Sequence, residues 1–588
     1  MGWPEWRISE VITARPQARV NQLGYLLGRP KQATLISDAT EPVGFAVRDR
    51  DGGIAYAGLS EVWPVRPEPT SGLNVHVVDF SALNIPGAGF RIEAGAQISH
   101  PFEIRSRLYE RLTADALRFF YVMRSGTPIL DRVAPGYGRP AGHLGRPPNR
   151  GDLAVPAWTG PEAQQLYPEW RCEATFDVSG GWYDAGDYGK YVTSGAIAVW
   201  QLLSTLDLLR RADETPGSEL ADMIRTECRW QLDWLLRMQV PDSDPLAGLA
   251  FHRVHGTRWS PMPGWAHEDP TERVLHRPST AASLQIAAVT AQGARLFLPT
   301  DPAYAQALLD AARSAYQAAL RHPRLIAPDD HAKFGGGPYS DDRLEDDFYW
   351  AAAELWLATG EEIYRQHLAN SPQHAAEAFD PGGYDFDRVT APARLDLALV
   401  GDDVGDNTQA IESVRRGADR LVELQRQQPW GQPYAPTEGW DWGSNGRILN
   451  NLVVMAAAHL LSGVPSYADA VATGIDYLLG RNGLGQSYIT GYGTDYSCHQ
   501  RTRQFGHDLD PALPPPPQGA LAGGANSRPS PDFPYDSRLL GLPPQCCYLD
   551  EPTSEVTNDV CIRWNAPLVW VATYLNTVNE QPLSCAET

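Results

Sequence analysis

The sequence predicts a mainly α-helical protein with a small all-β domain at its N-terminus. From about residue 18 to residue 104, short apolar runs alternate with turn residues, which is typical of strands. After Ser106 the apolar residues recur with the spacing of amphipathic helices. The 588 residues are enough for two domains, one of them large. We therefore predict a β domain over residues 1–105 and a helical domain over residues 106–588.

The N-terminal region contains a regular series of short strands. The clearest apolar runs are Ala33–Ile36, Gly44–Val47, Val75–Val78 and Phe90–Ala94. A glycine-rich turn at residues 51–53 lies between two such runs and indicates a hairpin. Short strands at this spacing predict a small β-sandwich. The sandwich could serve as a structural buttress or as a sugar-binding module, and we favour the buttress.

Helical periodicity dominates the rest of the chain. Leu112, Leu117, Phe120 and Tyr121 share one face of the first predicted helix. Further helices are predicted at residues 190–211, 218–239, 279–297, 302–321, 344–359, 361–370, 407–427, 446–462, 467–479 and 564–577. Because no strands separate these helices, they suggest antiparallel helical hairpins closed into a toroid.

Two long segments, residues 132–176 and 488–552, have neither helical nor strand periodicity. Both are rich in Pro, Gly and aromatic residues, and loops this long in a compact domain are usually functional or disordered. Each leads into a stretch that carries acidic residues. We therefore expect both segments to form walls of an active-site cleft.

The composition narrows the classes of partner. A net charge of -22 argues against nucleic acid and anionic membranes, because their phosphates would be repelled. No stretch is expected to approach the apolar length of a membrane span.

Seven cysteines without a CxxC pair predict reduced thiols. Residues 1–7 lack the features of a secretory signal, so we expect a cytoplasmic protein, or a secreted one if a leader has been removed. We expect a monomer or a small homo-oligomer.

The first candidate site is the glycine-rich turn at residues 178–191. It places Asp184 and Asp187 three residues apart, directly before an apolar helix, and Tyr183 lies beside them. Glycines allow tight turns and close approach to a ligand, and aromatic rings stack on sugars. Because Lys190 is the only basic residue here, the turn suits a neutral, hydroxyl-rich ligand better than a phosphate. Calcium ligation or capping of the following helix is the alternative.

The turn and a second stretch near the C-terminus resemble glycoside hydrolase family nine, an inverting cellulase family. GGWYDAGDYGKY at residues 180–191 is similar to the base-bearing signature of that family, and TNDVCIRWNAPLVW at residues 557–570 is similar to its acid-bearing segment. Residues 20–25 also resemble the start of the immunoglobulin-like module that precedes many of its catalytic domains. The likeness covers nearly the whole chain. It implies an (α/α)6 barrel preceded by an immunoglobulin-like sandwich.

The resemblance assigns roles to three carboxylates. Asp187 would be the general base, Asp184 would help to hold the same water, and Asp559 would be the general acid. Inverting hydrolysis uses such a pair about 6.5–9.5 Å apart. Two carboxylates as close in sequence as Asp184 and Asp187 should also repel each other, which raises one pKa.

The acid departs from the family pattern, because Asp559 stands where the family has Glu. A carboxyl group one methylene shorter lies about 1.5 Å further from the glycosidic oxygen, unless the backbone shifts. Misplacement of about 1 Å can cost about a hundredfold in rate. Three readings compete: Asp559 works in an adjusted site, Glu555 or Glu551 substitutes for it, or the protein is weak or inactive. We favour the first, because residues 564–567 follow in register.

Several further residues are candidates for substrate binding. His499 and Arg501 match a His-His-Arg element of the family, from which Gln500 departs; without the resemblance they would equally suit a surface loop. Arg501 is also a candidate to orient a catalytic carboxylate. The aromatic candidates for sugar stacking are Tyr183, Trp350, Trp442 and Trp564, with Trp259 and Trp265 as weaker ones. Most tryptophans in proteins are core residues, and that alternative stays open for each.

We interpret the sequence as a β-1,4-glycosidase acting on cellulose-type glucans or cello-oligosaccharides, by endo or exo cleavage. The alternatives are an exo-β-glucosaminidase acting on chitosan oligosaccharides, whose cationic sugars suit the acidic charge, and an inactive carbohydrate-binding homologue. A purely structural toroid is disfavoured by the paired carboxylates. Catalysis should need no cofactor. No zinc cluster is visible around Cys172, for which His143 is the only nearby partner, whereas structural calcium on a carboxylate-rich loop is compatible with the sequence.

Overall fold

A computed structural model of the protein describes residues 8–212, 218–401 and 407–578. The N-terminal residues 1–7 and Cys585 therefore lie outside the described residues. A short helix, α1, begins the described chain at Ile8–Ala14. The six described cysteines are free thiols, in agreement with the prediction.

Ten strands form the N-terminal sandwich. They are β1 Ala18–Arg19, β2 Gly24–Leu26, β3 Gln32–Ile36, β4 Gly44–Arg48, β5 Ile54–Leu59, β6 Glu61–Val62, β7 Val75–Asp79, β8 Gly87–Ala94, β9 Gln97–Ile98 and β10 Phe102–Arg105. One sheet has the order β1-β3-β7-β6, and the other has the order β2-β10-β8-β4-β5, with β9 pairing with β8. The predicted turn at residues 51–53 joins the antiparallel strands β4 and β5. Alternate residues such as Phe45, Val47 and Ile92 are buried between the sheets, as the alternation in the sequence requires.

Fourteen further helices are described after the sandwich. They are α2 Glu110–Val122, α3 Pro161–Leu166, α4 Val192–Arg211, α5 Glu219–Arg237, α6 Thr280–Phe297, α7 Pro302–Arg321, α8 Leu344–Thr359, α9 Glu362–Asn370, α10 Thr390–Val400, α11 Thr408–Arg426, α12 Ser444–Ser462, α13 Pro465–Leu478, α14 Glu555–Asn558 and α15 Ile562–Thr577. Seven short strands lie in the loops between them: β11 Val155–Pro156, β12 Thr175–Phe176, β13 Lys190–Tyr191, β14 Ala250–Phe251, β15 Arg253–Gly256, β16 Arg273–Leu275 and β17 Pro278–Ser279.

Twelve of the described helices form two concentric rings. The inner ring runs α4, α6, α8, α10, α12 and α15, each packing on the next, and α15 packs back on α4 to close the ring. The outer helices α2, α9 and α13 each pack on one inner helix, whereas α5, α7 and α11 each pack on two neighbouring inner helices. The arrangement is an (α/α)6 barrel, which confirms the predicted fold. Eleven of the twelve helices were predicted close to these bounds.

The helix that the sequence analysis missed is α10, the fourth helix of the inner ring. Its residues 390–398 are all buried, and Pro392 interrupts the pattern near its start. The other five inner helices are almost as buried and were predicted, so burial alone does not explain the omission. Helix α10 has only 11 residues, whereas each of the others has at least 16, and a short segment with a proline near its start gives a weak helical pattern.

Helix α4 is long and apolar enough to span a membrane by length and composition, although the sequence analysis expected no such stretch. Within the protein, 94% of its apolar window is buried. Helix α4 belongs to the inner ring, and its position there accounts for its apolar character.

The sandwich packs on the barrel through buried polar contacts. The Asn21 amide donates to the Asp476 carboxylate at 2.8 Å, and the Thr34 hydroxyl donates to the Pro429 carbonyl at 2.6 Å. These contacts tie the sandwich to the outer helix α13 and to the loop after α11. Strand β10 ends at Arg105 and α2 begins at Glu110, beside the predicted domain boundary.

Candidate active site

The two predicted motifs meet at one end of the inner ring. The turn at residues 184–187 precedes α4, and the segment at residues 559–561 precedes α15, its neighbour in the ring. Ala185 pairs with Cys561 in an antiparallel bridge, and the Gly186 N–H donates to Asp559 Oδ1 at 3.0 Å. The base-bearing and acid-bearing motifs therefore form one continuous structure, although the donor and acceptor of this bond are 373 residues apart.

Asp187 and Asp559 line the same cavity. The other residues that line it are Ala185, Gly186, Tyr191, Trp259, Gly337, Tyr339, Trp442, Arg501, Arg503, Phe533 and Glu555. Asp187 Oδ2 accepts hydrogen bonds from the Gly189 N–H and from the Tyr191 hydroxyl, both at 2.9 Å. Its Oδ1 accepts none from the residues that the structure describes. The side chain is thus held by one oxygen and presents the other to the cavity.

Asp184 lies behind this cavity instead of lining it. Its carboxylate is buried and accepts hydrogen bonds from the hydroxyls of Ser194 and Tyr339, both at 2.5 Å. Burial raises the pKa of Asp184 to about 6, and the positive charge of Arg563 opposes the shift. Tyr339 lines the cavity, so Asp184 contacts a wall residue of the cavity without lining it itself.

A buried lysine, Lys190, holds the base turn in place through its backbone carbonyls. The Lys190 ammonium donates to the carbonyls of Val178 and Gly180 at 2.6 and 2.9 Å. It also pairs at 2.8 Å with Asp152, which is bound in turn by Arg273 at 2.8 Å. Lys190 is therefore a structural residue that fixes the turn, and the buried charges around it are paired.

Asp559 has the environment of a proton donor. Its Oδ1 accepts from the N–H groups of Gly186 and Val560, at 3.0 and 2.8 Å. Its Oδ2 accepts no hydrogen bond from the described part of the chain. Burial raises the pKa of Asp559 well above its ordinary value, and the negative charges of Glu555 and Asp187 raise it further. This raised pKa favours the protonated form of the carboxyl group, and its unbonded oxygen is Oδ2.

Gly186 makes the close approach of the acid segment possible. A Cβ atom at this position would lie 2.8 Å from Asp559 Oδ1 and closer still to the Arg501 carbonyl oxygen. Any larger residue would push the acid-bearing segment away from the base turn. The backbone contact thus gives a physical means of accommodating the shorter Asp559 side chain.

The two alternative acids occupy different places. Both oxygens of Glu551 are bound by Arg538, at 2.8 and 2.6 Å, and Glu551 does not line the cavity of Asp187. Glu555 does line it, and one of its oxygens lies 3.2 Å from the Arg501 guanidinium. Burial raises the pKa of Glu555, and Arg501 opposes the shift. Glu551 therefore lies outside the site, whereas Glu555 lines the same cavity as Asp559.

Two of the four main aromatic candidates reach the cavity region, as does Trp259, one of the two weaker candidates. Trp442 lines the cavity and packs edge-on against Phe533, with ring centroids 4.8 Å apart. Trp564 is 3% exposed and lines an adjoining cavity together with Trp442. Side chains at Gly443 and Gly446 would collide with its indole ring. Trp442 is therefore a half-buried ring in the cavity wall, and Trp564 is buried beside it.

The structure places the other two aromatic candidates in the core, which corrects the expectation that they contact sugar. Trp350 on the inner helix α8 is fully buried and packs edge-on against Trp200, with ring centroids 6.2 Å apart. Tyr183 is fully buried as well, and its hydroxyl lies 2.6 Å from His143 Nδ1. His143, the residue considered as a zinc partner for Cys172, is thus packed against the base turn.

Arg501 and His499 lie on one strand-like segment but face different cavities. Arg501 lines the cavity of Asp187, and its N–H donates to the Asn558 carbonyl at 2.8 Å. His499 lines a neighbouring cavity, where Nδ1 lies 2.7 Å from Asp508 Oδ2. The Cys498 thiol and then the Asp508 carboxylate raise the pKa of His499 to about 10.

The walls of the cavity differ from the expected ones. Residues 488–552 supply Arg501, Arg503 and Phe533, as predicted. Residues 132–176 line no part of the cavity and instead support the base turn from behind through His143 and Asp152. The second wall of the cavity is formed instead by Trp259 and by Gly337 and Tyr339 of the loop at residues 337–339. Trp265 does not line the cavity. The run of three glycines at 335–337 was the signal that could have identified this second loop.

A cluster of four acidic side chains lies where α8 begins, outside the cavity. Asp341, Asp346, Asp347 and Asp387 each have one buried carboxylate oxygen without a hydrogen-bond partner. Burial raises the pKa of Asp341 to about 7 and that of Asp346 to about 6, with neighbouring aspartates adding to both shifts. Oxygen donors of this kind suit a hard cation such as Ca²⁺.

Comparisons with known proteins agree with this architecture. The family described as Glycosyl hydrolase family 9 matches residues 109–572, and the Cellulase N-terminal ig-like domain matches residues 13–99. The chain is 45% identical over 576 residues to Endoglucanase C of Cellulomonas fimi, covering 95% of this chain and 52% of that protein. It is 36% identical over 614 residues to Cellulose 1,4-beta-cellobiosidase of Acetivibrio thermocellus, covering 97% of this chain and 68% of that protein.

A solved structure shows the same fold over both domains. The structure titled Bacteroides ovatus GH9 matches with a TM-score of 0.81 at 26% identity, covering 96% of this chain and 99% of that one. The chain spans about half the length of Endoglucanase C, so the likeness concerns the region that the two proteins share. With both domains matched and the two carboxylate motifs joined at one cavity, the chain belongs to glycosyl hydrolase family 9.

Proposed function

We propose that the protein is an inverting glycoside hydrolase that cleaves β-1,4-glucosidic bonds in cellulose-type glucans or cello-oligosaccharides. The observation that carries the proposal is the contrast between two carboxyl groups at one cavity. Asp187 presents an oxygen that no described residue occupies, and Asp559 is placed where its protonated form is favoured. A base and an acid at one site are what inverting hydrolysis requires.

In the proposed mechanism each group uses its unbonded oxygen. Asp187 Oδ1 accepts a proton from a water molecule, which attacks the anomeric carbon from the face opposite the leaving group. Asp559 Oδ2 donates its proton to the glycosidic oxygen as the bond breaks. Asp184 orients Tyr339 at the cavity wall, and Trp442 offers a stacking face for a sugar ring.

The names of the relatives support a β-1,4-glucan as substrate, because they include an endoglucanase, a cellobiosidase and a cellodextrinase. These names span endo and exo action, so they do not select one mode for this chain. The predictions of a monomer or small homo-oligomer and of a cytoplasmic location stay predictions, to be measured by light scattering and by cell fractionation.

The proposal is tested by following product formation from cellopentaose and, in parallel, from chitosan pentamer. We expect shorter cello-oligosaccharides from wild type, with the α anomer appearing first by proton NMR, and none from Asp559→Ala. If glucosamine is released from the chitosan pentamer and cellopentaose is not cleaved, the protein is a glucosaminidase and not a glucanase. If wild type binds cello-oligosaccharides without cleaving them and Asp559→Glu restores cleavage, the protein is a binding homologue and the proposal fails.

We also propose that the acidic cluster at the start of α8 binds a structural Ca²⁺. The unpartnered oxygens of Asp341, Asp346, Asp347 and Asp387 support this, because a divalent cation would offset the repulsion between the carboxylates. The four are not among the described groups whose ligand atoms lie within 4.8 Å of one another, so the proposed ion would draw them together. Chelation should lower the melting temperature by about 5 °C, and added Ca²⁺ should restore it. Asp347→Asn should be insensitive to both treatments. An unchanged wild-type melting curve after chelation would contradict the calcium site.

A further inference from the structure

A second set of metal-binding side chains lies outside the cavity of Asp187, on the far side of the acid segment. Cys498, His499 and Asp550 each offer one ligand atom, and these atoms lie within 4.8 Å of one another. All three side chains are half-buried and line one open cavity of about 610 Å³. The cluster therefore combines close donors with a route by which an ion could enter.

The donor set is one that zinc prefers. A thiolate, an imidazole and a carboxylate are the three side-chain donors found in zinc sites, and three protein ligands leave a fourth position for water. Because the set includes sulfur, it disfavours Ca²⁺ and Mg²⁺, which take oxygen ligands. The chemistry of the donors thus selects a soft or borderline divalent cation.

The neighbouring groups resemble the outer shell of a zinc site. His499 Nδ1 lies 2.7 Å from the Asp508 carboxylate, which is the usual arrangement for a histidine that binds zinc through its other nitrogen. Asp550 is held in place by the N–H groups of Cys498 and His499, at 3.0 and 3.1 Å. These contacts orient two of the three ligands before any ion binds.

Asp550 already accepts four hydrogen bonds, so one must give way to a metal. Besides the two backbone bonds, its oxygens accept from the Asn558 amide at 3.0 Å and from the Gln486 amide at 3.2 Å. The bond to Gln486 is the longest of the four, and its donor is a flexible side chain. Displacement of this bond is the smallest change that frees a carboxylate lone pair for coordination.

We propose that Cys498, His499 and Asp550 form a Zn²⁺ site that regulates hydrolysis by acting on the acid-bearing segment. The connection is Asn558, the residue directly before Asp559. Its amide donates both to Asp550 Oδ1 at 3.0 Å and to the His499 carbonyl at 2.8 Å. When the three ligands close on an ion, Asp550 and His499, which accept from the Asn558 amide, change position. Asn558 follows its acceptors, and Asp559 moves with Asn558.

Zinc binding is expected to inhibit. A displacement of the acid by about 1 Å costs about a hundredfold in rate, and the segment has little freedom to absorb a shift because Gly186 contacts it directly. This effect rests on the proposed hydrolase function, whereas zinc binding itself does not. The experiment therefore measures binding and activity separately.

A second cluster in the described chain provides the control. His331 Nδ1 lies 3.1 Å from Asp532 and 3.8 Å from Asp329, on two exposed loops. This cluster has no sulfur donor, and its imidazole and Asp329 are largely exposed to solvent. It offers Zn²⁺ a weaker site, and His331→Ala removes that site without touching Cys498.

The first measurement is calorimetric titration of Zn²⁺ into metal-stripped wild type, Cys498→Ser, Asp508→Asn and His331→Ala. We expect one tight site in wild type and His331→Ala, at least about tenfold weaker binding in Asp508→Asn, and a larger loss in Cys498→Ser. Co²⁺ should give a sulfur-to-metal charge-transfer band in wild type and none in Cys498→Ser. Equal affinity in Cys498→Ser, or loss of the site in His331→Ala, would overturn the assignment.

The second measurement is cellopentaose hydrolysis across the same zinc series. Wild type and His331→Ala should lose activity as the tight site fills, and Cys498→Ser should keep its zinc-free rate at those concentrations. Full zinc occupancy with unchanged rate would overturn the regulatory link. If wild type binds zinc through Cys498 but shows no hydrolysis under any condition, the zinc site stands and the proposed function fails.

Discussion

The two sides of the cavity are built in different ways. Asp187 is held by Gly189 and Tyr191, both within four residues of it in the same turn. Asp559 is held by its own neighbour and by Gly186, which lies 373 residues away. The hydrogen bonds to the base carboxylate therefore come from one short stretch of sequence, although Asp152 supports the turn through Lys190. Those to the acid come in part from a residue that it meets only in the folded barrel.

The difference explains why the acid side can vary. A contiguous turn fixes its carboxylate by local geometry, so little can change without loss of the whole turn. The position of a carboxylate held by distant backbone depends on how closely the two segments pack, and the absence of a side chain at Gly186 lets the acid segment come close enough for a shorter side chain. We expect substitutions on the two sides to have distinguishable effects.

The largest expected effects come from replacing the base or the acid. The two replacements should differ in how strongly the loss of rate depends on the leaving group of the substrate. Asp187→Asn should lower kcat by about 100-fold to 10,000-fold on every substrate, because each one needs the activated water. Asp559→Asn should do the same on cellopentaose but much less on an aryl cellobioside with an acidic phenol, which departs without a proton. Steady-state kinetics on both substrates provide the measurement, with Glu551→Gln as the control. Equal losses on both substrates for Asp559→Asn would exclude proton donation by this residue.

A smaller effect is expected from separating the two sides while leaving both carboxylates in place. Gly186→Ala introduces a methyl group 2.8 Å from Asp559 Oδ1, which forces the acid segment outward. We expect kcat to fall by about a hundredfold with a folded protein by circular dichroism. Gly44→Ala is the matched control, because a Cβ atom there meets nothing within 4 Å. Wild-type activity in Gly186→Ala would show that the contact does not position the acid.

The smallest expected effect concerns the carboxylate beside the acid. Asp559 acts in its protonated form, so activity is lost as pH rises through its pKa. Glu555 raises that pKa, and Glu555→Gln should therefore move the alkaline limb of the pH–kcat profile to lower pH. Activity on the acidic side of the profile should change little.

The same variant decides between the two candidate acids. If Glu555→Gln abolishes hydrolysis at every pH while Asp559→Asn retains it, Glu555 donates the proton. Glu551→Gln should leave the profile unchanged, because Arg538 binds both oxygens of Glu551 outside the cavity.

The sequence was sufficient to predict those parts of the molecule that are built from residues close together in the chain. The base turn and eleven of the twelve barrel helices could be identified because their residues are contiguous or periodic. Trp350 was misassigned because the sequence of an inner helix, which is buried on nearly all faces, does not show which face points to a cavity. The role of Gly186 was not predictable, because its partner is brought to it only by closure of the ring. The wall at residues 337–339 was missed because irregular loops carry no period.

Closure of the inner ring has a consequence for how the protein is made. Helices α4 and α15 are the first and last inner helices in the chain, and their contact brings together the two carboxyl groups of the cavity. Contacts between residues so far apart carry the largest loop-closure cost and form late in folding. A ribosome-bound chain that has not yet released residues 559–577 lacks both the acid and the last inner helix. Hydrolysis is thus expected to begin only once residues 559–577 have left the ribosome and α15 has packed on α4, which makes activity itself a reporter of this folding step.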